Sequence, residues 1–385
     1  MSADKRTRKK NKAMIITSRK NHYITVQPVI EELQKRNWEV TTLRFERVWE
    51  RVENALKTVK KSSIRYDTWN PSRSKDKNYE KDSPNRYLII SRLIAMLVNI
   101  FNIQKPNIII TMTDGPPLET IAILTGRLLN IPSLLLQVGV IGPNYKRNQS
   151  FLVDKIATMG QFSKNVLVSC GVDESKLIVT GRPTYDILAR ADEVFNKEEI
   201  CKELGIATEK KIILFATENL PPRERDTIFY AVCRAIKNLS EVEFVIKVHP
   251  AELDYAIYEK VANGMGLSPV VTKDINIYEV IYVCDVMITM FSTTALEAMI
   301  LNKPVITVNL TGMKDPMPYA ESGAAIGVYK EEDIVSAIRD ALYNEEVRQM
   351  LAINRKKFIY EHAYKQDGKA TERVVGVIEM MKREV

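Results

Sequence analysis

The chain has 385 residues, 45% of them hydrophobic and 27% charged, which is typical of a soluble globular protein and excludes a disordered or fibrous one. Its length allows two domains of ordinary size, each with its own core. The formal net charge is +8, and four scattered cysteines without a Cys-x-x-Cys pair argue against a zinc site or a disulfide framework. We therefore expect a protein of the reducing cytoplasm.

The chain begins with a basic segment, MSADKRTRKKNK, in which six cationic side chains stand against Asp4. We predict that residues 1–12 form a disordered arm. The arm is either simply solvated or in contact with anionic lipid headgroups at the inner membrane face. No nucleic acid partner is expected.

The nearest candidate for a membrane span is YLIISRLIAMLVNIFNI, residues 87–103. It lacks the roughly twenty uninterrupted apolar residues that a transmembrane helix needs. On a helix its polar side chains fall on one stripe, which indicates either a helix buried in a core or one that lies in a membrane surface.

Short β-branched apolar runs alternate with helical stretches along the chain, which is typical of parallel βαβ units in an α/β fold. A charged connection over 186–210 separates two such series, so we predict two Rossmann-like parallel-sheet domains, residues 13–187 and 188–368. The strands expected in the first domain cover 13–17, 38–43, 107–112, 132–138, 155–159 and 176–181. Those expected in the second cover 211–217, 243–249, 268–272, 285–290 and 303–308, with helices at 223–239, 251–264, 276–283, 292–301 and 331–343.

Three hydroxyl residues, Ser292, Thr293 and Thr294, follow a predicted strand in MITMFSTTALEAM and stand where a helix begins. Ligands bind beyond the carboxyl ends of parallel strands, where backbone N–H groups and the helix dipole favour a phosphate. One hydroxyl would be enough to cap the helix. The cluster therefore predicts a phosphate or diphosphate site. Glu297, one turn further, either accepts both hydroxyls of a ribose or stabilises the first turn of the helix.

A histidine ends another predicted strand in FVIKVHP. Pro250 restricts the backbone of His249 to extended geometry, and the imidazole is expected to donate a hydrogen bond to a phosphate oxygen. Lys247 points to the same side because strand side chains alternate with a period of two. We expect both residues to bind the same nucleotide diphosphate as the hydroxyl cluster.

These motifs carry a family resemblance. KVHP followed by DVMITMFSTTALEAMILNKPVITVN resembles the carboxyl-terminal domain of the GT-B glycosyltransferase superfamily, which includes capsule-type sugar transferases and glycerophosphotransferases. TSRKNHYITVQPVIEELQKR is similar to the first strand and helix of non-hydrolysing nucleotide-sugar 2-epimerases, and VTGRPTYD resembles the end of the first domain in both groups. The resemblance implies two domains facing each other across a cleft. It also implies that the helix within 369–385 packs back on the first domain.

The function that the resemblance implies is transfer of a sugar from a nucleotide-sugar donor, UDP-linked or CMP/CDP-linked, to a cell-surface polysaccharide or glycolipid. No Asp-x-Asp occurs, so the reaction is expected to need no metal and no other cofactor. Two alternatives remain: a CDP-glycerol glycerophosphotransferase that releases CMP, and a 2-epimerase. The epimerase signature Ser-Gly-Gly-x-x-Glu-Glu is absent, and a non-enzymatic scaffold is the least expected reading.

A transferase also needs a base that deprotonates the acceptor hydroxyl, and this group should come from the first domain. His22 and Asp114 both follow strands there, and the sequence does not decide between them. Arg19 and Arg182 also follow strands and are expected to bind phosphate, because a guanidinium contacts it through two N–H groups. Glu218 is expected to approach the sugar or the base of the donor.

Overall fold

We describe the fold from a computed structural model in which residues 10–17, 20–44, 84–115, 117–145 and 151–382 are defined. Arg19 and residues 1–9 of the expected basic arm lie outside the described residues. Lys12, assigned to the arm from the sequence, instead begins the first strand.

The amino-terminal half contains a six-stranded sheet in the order β2-β1-β3-β4-β5-β6, and every pairing in it is parallel. The strand order reverses between β1 and β3, which are neighbours in the sheet although β2 comes between them in the sequence. The strands are β1 Lys12–Thr17, β2 Glu39–Arg44, β3 Ile108–Thr111, β4 Ser133–Leu136, β5 Lys155–Thr158 and β6 Leu177–Val179.

The carboxyl-terminal half contains a second six-stranded parallel sheet in the order β12-β11-β10-β7-β8-β9. Its order reverses between β7 and β10. The strands are β7 Lys211–Ala216, β8 Val242–Lys247, β9 Val270–Thr272, β10 Val286–Thr289, β11 Val305–Val308 and β12 Ile326–Val328. The predicted α/β class with two parallel sheets is therefore confirmed, and β12 is a strand that the sequence did not reveal.

Helices connect the strands and cover the sheets. In the first half they are α1 Lys20–Lys35, α2 Pro84–Gln104, α3 Pro117–Leu128 and α4 Gln161–Ser169. The connection and the second half contain α5 Ala191–Val194, α6 Lys197–Leu204, α7 Pro222–Lys237, α8 Ala256–Gly264, α9 Ile277–Val283, α10 Thr294–Ile300, α11 Ile334–Tyr343, α12 Glu345–Ala363 and α13 Ala370–Met381.

The inner strands of each sheet are buried on both faces, which explains why they are almost continuously apolar, whereas the edge strand β2 is partly exposed and more polar. Alternate side chains of β1 enter different cores: Ala13 and Ile15 pack with α1 and α13, whereas Met14 and Ile16 pack with α2 and α3. The strands of the second sheet divide their side chains in the same way between two cores. These cores hold the carboxyl ends of the strands in fixed positions.

The last helix, α13, belongs to the core of the first sheet although it is the end of the chain. Val374 and Ile378 are fully buried there against α1. Asp186, at the end of the 3-10 turn Pro183–Tyr185 that follows β6, accepts hydrogen bonds from the backbone N–H groups of Ala370 and Thr371, each at 2.8 Å. Its carboxylate therefore caps α13 and ties the end of the chain to the first half.

Candidate functional site

The candidate site lies at the carboxyl edge of the second sheet, where β7 and β10 are neighbours. In parallel sheets, ligands bind at the point where the strand order reverses, because the two connecting loops turn away from each other there. Thr217 and Glu218 follow β7 directly, and the hydroxyl cluster Ser292–Thr294 follows β10. The sequence placed these residues at strand ends, but it did not show that their strands are adjacent.

Glu218 binds the loop that carries the hydroxyl cluster. Its Oε1 accepts hydrogen bonds from the backbone N–H groups of Met290, Phe291 and Ser292 at 2.9, 2.7 and 2.9 Å, and from Oγ1 of Thr289 at 2.8 Å. The side chain is buried. Glu218 therefore contacts the protein backbone, whereas its position after a strand had predicted an approach to the sugar or base of a donor.

The hydroxyl cluster remains at the surface of the site. Ser292 Oγ accepts from the Thr294 hydroxyl at 2.8 Å and from the Thr294 backbone N–H at 3.3 Å. Ser292, Thr293 and Thr294 are all partly exposed. Ser292 Oγ thus accepts from the first backbone N–H of α10, while the N-cap residue Thr293 makes no side-chain hydrogen bond to the helix. The partly exposed hydroxyls of the cluster lie where they can contact an anion. The diphosphate role of the cluster stays a prediction.

His249 is joined to the same site through Thr217. Its backbone N–H donates to Thr217 Oγ1 at 2.8 Å, and its Nδ1 accepts from the backbone N–H of Ala251 at 3.2 Å. In a neutral imidazole whose Nδ1 accepts, the proton is on Nε2, so Nε2 is a donor. Because Thr217 and Glu218 are consecutive, the loops of His249 and Ser292 are held by adjacent residues of one strand end.

A buried polar network supports the His249 turn. The Glu252 carboxylate accepts from the hydroxyls of Thr217 and Tyr258, and Lys273 Nζ donates to the Glu252 carbonyl at 2.6 Å. Residues 251–255 form this turn, so the helix expected from residue 251 begins only at Ala256.

Lys247 lies beneath this network, with only 7% of its surface exposed. Its Nζ donates to the carbonyl of Lys273 at 2.6 Å, and burial lowers the pKa of the amine. A phosphate contact from Lys247 would require the amine to leave this carbonyl.

Glu297 and Arg182 contact each other where the two halves of the chain meet. Arg182 Nη1 lies 3.4 Å from Glu297 Oε1 and donates to the Tyr185 hydroxyl at 3.0 Å. Burial raises the pKa of the Glu297 carboxyl to about 7, and the guanidinium opposes this shift. A ribose contact from Glu297, or a phosphate contact from Arg182, would require this pair to open.

Of the two candidate bases in the first half, Asp114 is 2% exposed and its Oδ2 accepts from the Leu152 backbone N–H at 2.9 Å. His22 is also buried, at 6% exposed, and lies in the first turn of α1. Both residues follow strands of the pair β1 and β3, where the order of the first sheet reverses. Which of them is the base stays a prediction.

His362 is buried between two aromatic rings, one from each half of the chain. It is 2% exposed and stacked between Phe162 and Phe358, with ring centroids 4.2 and 4.0 Å away. Burial lowers its pKa to about 4. Phe162 comes from α4 of the first half, so the sequence around His362 gave no sign of this contact.

Within the described parts of the chain, no helix has the length and apolar character to cross a membrane. Nor does any group of three or more His, Cys, Asp or Glu side chains in those parts have the arrangement of a metal site. The expectation that the reaction needs no metal stays a prediction.

A protein-family model described as CDP-Glycerol:Poly(glycerophosphate) glycerophosphotransferase matches residues 58–380. A teichoic acid poly(ribitol-phosphate) polymerase of Bacillus spizizenii is 26% identical over 267 residues, which are 62% of this chain and 39% of the polymerase. A processive diacylglycerol beta-glucosyltransferase of Bacillus pumilus is 24% identical over 313 residues, which are 75% of this chain and 73% of that enzyme. The match thus spans well under half of the polymerase.

Solved structures share the fold at low sequence identity. The UDP-GlcNAc 2-epimerase from Neisseria meningitidis bound to UDP-GlcNAc has a TM-score of 0.61 and 18% identity, covering 96% of this chain and all (100%) of that one. The wall teichoic acid polymerase TagF has a TM-score of 0.62 and 14% identity, covering 96% of this chain and 88% of that one. These likenesses confirm the two-domain α/β architecture predicted from the motifs.

Proposed function

Since the chain belongs to the CDP-glycerol:poly(glycerophosphate) glycerophosphotransferase family within the GT-B superfamily, we propose that it transfers glycerophosphate from CDP-glycerol to a polymeric acceptor. The sequence favoured sugar transfer over this reaction, and the family match reverses that order. The acceptor we propose is a hydroxyl of a cell-surface polymer. The chain matches only 39% of its polymerase relative, so polymerisation is itself part of the proposal.

The observation that carries the proposal is the joining of two loops at one strand end. Thr217 and Glu218 hold the His249 loop and the Ser292 loop respectively, at 2.8 and 2.9 Å. Nε2 of His249 and the hydroxyl cluster then offer several hydrogen-bond donors on one edge of the sheet. Donors fixed in this way stabilise the charge that develops on a leaving phosphate.

The proposed reaction is a displacement at the phosphorus that carries glycerol. The acceptor oxygen forms a new P–O bond, and the bond between this phosphorus and the bridging oxygen breaks. CMP leaves with the bridging oxygen and its electron pair, while the acceptor proton passes to a base. We assign the donor phosphates to His249, Ser292, Thr293 and Thr294.

We propose His22 as the base. The Asp114 carboxylate is bound to the Leu152 amide at 2.9 Å, and its place in that turn gives it a structural role. A ring nitrogen of His22 can take the proton of the acceptor hydroxyl and pass it on afterwards, which is what a general base must do in each cycle.

The test is the nucleotide released from CDP-glycerol in the presence of a poly(glycerophosphate) oligomer, measured by chromatography. We expect CMP from the wild type and at least about tenfold less from Ser292→Ala, since a donor to a charged group contributes about 1.5–3 kcal/mol. Ser169→Ala is the matched control, because Ser169 is exposed and its hydroxyl donates to the carbonyl of Val166 in its own helix. Equal CMP release from both variants would remove Ser292 from the site.

Sugar transfer remains a second candidate because of the similarity to the diacylglycerol glucosyltransferase. It would release a nucleoside diphosphate from a nucleotide sugar. The same assay with UDP-glucose in place of CDP-glycerol separates the two reactions. Release of UDP from UDP-glucose, together with no release of CMP from CDP-glycerol in the parallel reaction, would favour sugar transfer.

We also propose that the amino edge of the first sheet contacts an anionic membrane surface. Ile103 and Leu128, at the ends of α2 and α3, are 66% and 78% exposed. The neighbouring Arg127 is exposed as well. Lys12, the last residue of the basic segment, is held at this edge because its backbone N–H donates to Asn107 Oδ1 at 2.8 Å. Exposed apolar side chains beside cations are typical of a surface that binds acidic lipids.

Sedimentation with phosphatidylglycerol vesicles tests this contact. The wild type should bind these vesicles and not neutral phosphatidylcholine vesicles, and Leu128→Ser should weaken the binding. Tyr343→Ser is a control, because Tyr343 is 62% exposed but lies on the second half. Equal binding to both kinds of vesicle would contradict the proposed electrostatic contribution.

A further inference from the structure

The protein already contains an anion at the place where the strand-end rule puts a phosphate. Four hydrogen-bond donors of residues 289–292 converge on one oxygen of Glu218, at distances of 2.7–2.9 Å. Three of these donors are consecutive backbone N–H groups. Converging backbone N–H groups of this kind form an anion site in many proteins. Here the anion is a side chain of the protein itself.

The second oxygen of Glu218 shows that the carboxylate is held from one side only. Glu218 is 8% exposed, and its Oε2 is buried without a hydrogen-bond partner among the described residues. Thr217, Arg225 and Tyr258 line a small cavity together with Glu218. The four donors to Oε1 therefore fix the orientation of the carboxylate, and in return the carboxylate fixes the loop.

The inward direction of three amides determines which groups remain for a substrate. The N–H groups of Met290, Phe291 and Ser292 donate to Glu218, so they are not available to a donor phosphate. The hydroxyls of Ser292 and Thr294 are bonded to each other at 2.8 Å on the partly exposed side of the loop. Their position depends on the backbone that Glu218 holds.

We propose that Glu218 is a positioning residue for donor binding: its carboxylate fills the anion site of residues 289–292 and thereby holds the Ser292 and Thr294 hydroxyls where the donor phosphate binds. The second part of this statement rests on the proposed function. The first part does not, since it concerns only the carboxylate and the loop.

Glu218→Ala and Glu218→Gln separate the charge from the shape of the side chain. Alanine empties the anion site, and a small carboxylate from solution then takes the place of the lost group. Glutamine keeps an oxygen that accepts from the same donors, although a neutral acceptor forms weaker hydrogen bonds than a carboxylate. Added acetate should therefore act on the alanine variant and on neither the glutamine variant nor the wild type.

The experiment is a calorimetric titration of each protein with CMP, in sodium acetate and in sodium chloride of equal ionic strength. In chloride, Glu218→Ala should bind CMP at least about tenfold more weakly than wild type, and Glu218→Gln within about threefold of it. In acetate, Glu218→Ala should recover most of the lost affinity. Glu243→Ala is the matched control, because it removes a carboxylate whose one ion pair within the described parts of the chain is with Lys210 at 3.0 Å.

Two results would overturn the proposal: unchanged CMP affinity of Glu218→Ala in chloride, or a loss that acetate does not reverse. If the wild type binds no CMP, the proposed function fails by itself. The carboxylate role is then read from thermal unfolding, in which acetate should raise the melting temperature of Glu218→Ala and leave wild type unchanged.

If Glu218→Ala does not fold, amide hydrogen exchange of Glu218→Gln provides the test. The amides of residues 290–292 should exchange faster than in wild type, while those of β8 stay unchanged. Equal exchange in the two proteins would show that the charge of Glu218 does not hold the loop.

Discussion

The burial of His362 predicts a specific dependence of stability on pH. The ring is 2% exposed between Phe162 and Phe358, and burial lowers its pKa from 6.5 to about 4. The unfolded chain therefore binds more protons than the folded one between these pH values, so the stability contributed by the neutral ring rises with pH across this range. One pKa unit corresponds to about 1.4 kcal/mol, which makes the whole change about 3 kcal/mol.

The variant His362→Phe removes the titration and keeps an aromatic ring in the stack. Urea unfolding at a series of pH values gives the free energy of unfolding of both proteins. The difference, wild type minus variant, should increase by about 3 kcal/mol from pH 4 to pH 6.5. A difference that stays constant with pH would refute the argument, because it would mean that the ring is charged equally in the folded and unfolded states.

Glu297 should contribute a pH dependence of the free energy of unfolding that is opposite in sign to that of His362. Burial raises the pKa of its carboxyl from 4.5 to about 7, so the folded state binds more protons across that range and its stability falls as pH rises. The difference between wild type and Glu297→Gln should therefore decrease from pH 4.5 to pH 7. In the wild type the two residues act against each other, so only the variants reveal either contribution.

Two further predictions concern the contact between the first half and the carboxyl-terminal helices. Gly160→Ala should lower the free energy of unfolding by about 1–3 kcal/mol, because a Cβ there would lie 2.2 Å from the Glu361 carbonyl oxygen; Gly139→Ala, with no atom within 4 Å of its Cβ, should change it little. Asp186→Ala should cost about 0.5–2 kcal/mol in urea unfolding through loss of the cap of α13. Unchanged stability of Gly160→Ala or Asp186→Ala would contradict the packing of α12 or α13 described above.

The sequence predicted the sheets well because buried parallel strands are long apolar runs bounded by turns. Each strand expected from the sequence has a counterpart in the structure. The strand β12, Ile326–Val328, escaped because it has only three residues with a glycine among them. The start of α8 was placed too early, since the turn over residues 251–255 depends on the contact of Glu252 with Thr217.

The helix α2 was expected from residues 87–103, with a buried or an interfacial location left open. Leu97 and Phe101 are buried on the sheet, whereas Leu88 and Ile103 are exposed at 48% and 66%. The apolar composition indicated a helix, but only the packing of α3 beside it shows which face is covered.

The candidate site could be predicted only as a set of strand ends. His249 and the hydroxyl cluster were found because polar residues that directly follow apolar strands are visible in a sequence. The contact of Glu218 with residues 289–292 could not be recognised in the sequence, since it exists only because β7 lies next to β10. The Arg182–Glu297 contact joins residues from different halves of the chain, which no local pattern can reveal.

The central claim is that a CDP-linked donor binds at the edge formed by His249 and the Ser292 loop. Calorimetric titration of CDP-glycerol and, in parallel, UDP-GlcNAc into wild type and His249→Ala tests it most directly. We predict that wild type binds CDP-glycerol more tightly than UDP-GlcNAc, and that His249→Ala loses about tenfold in affinity for CDP-glycerol, as expected for one hydrogen bond to a phosphate. Equal affinity of wild type and His249→Ala, or tighter binding of UDP-GlcNAc, would contradict the claim.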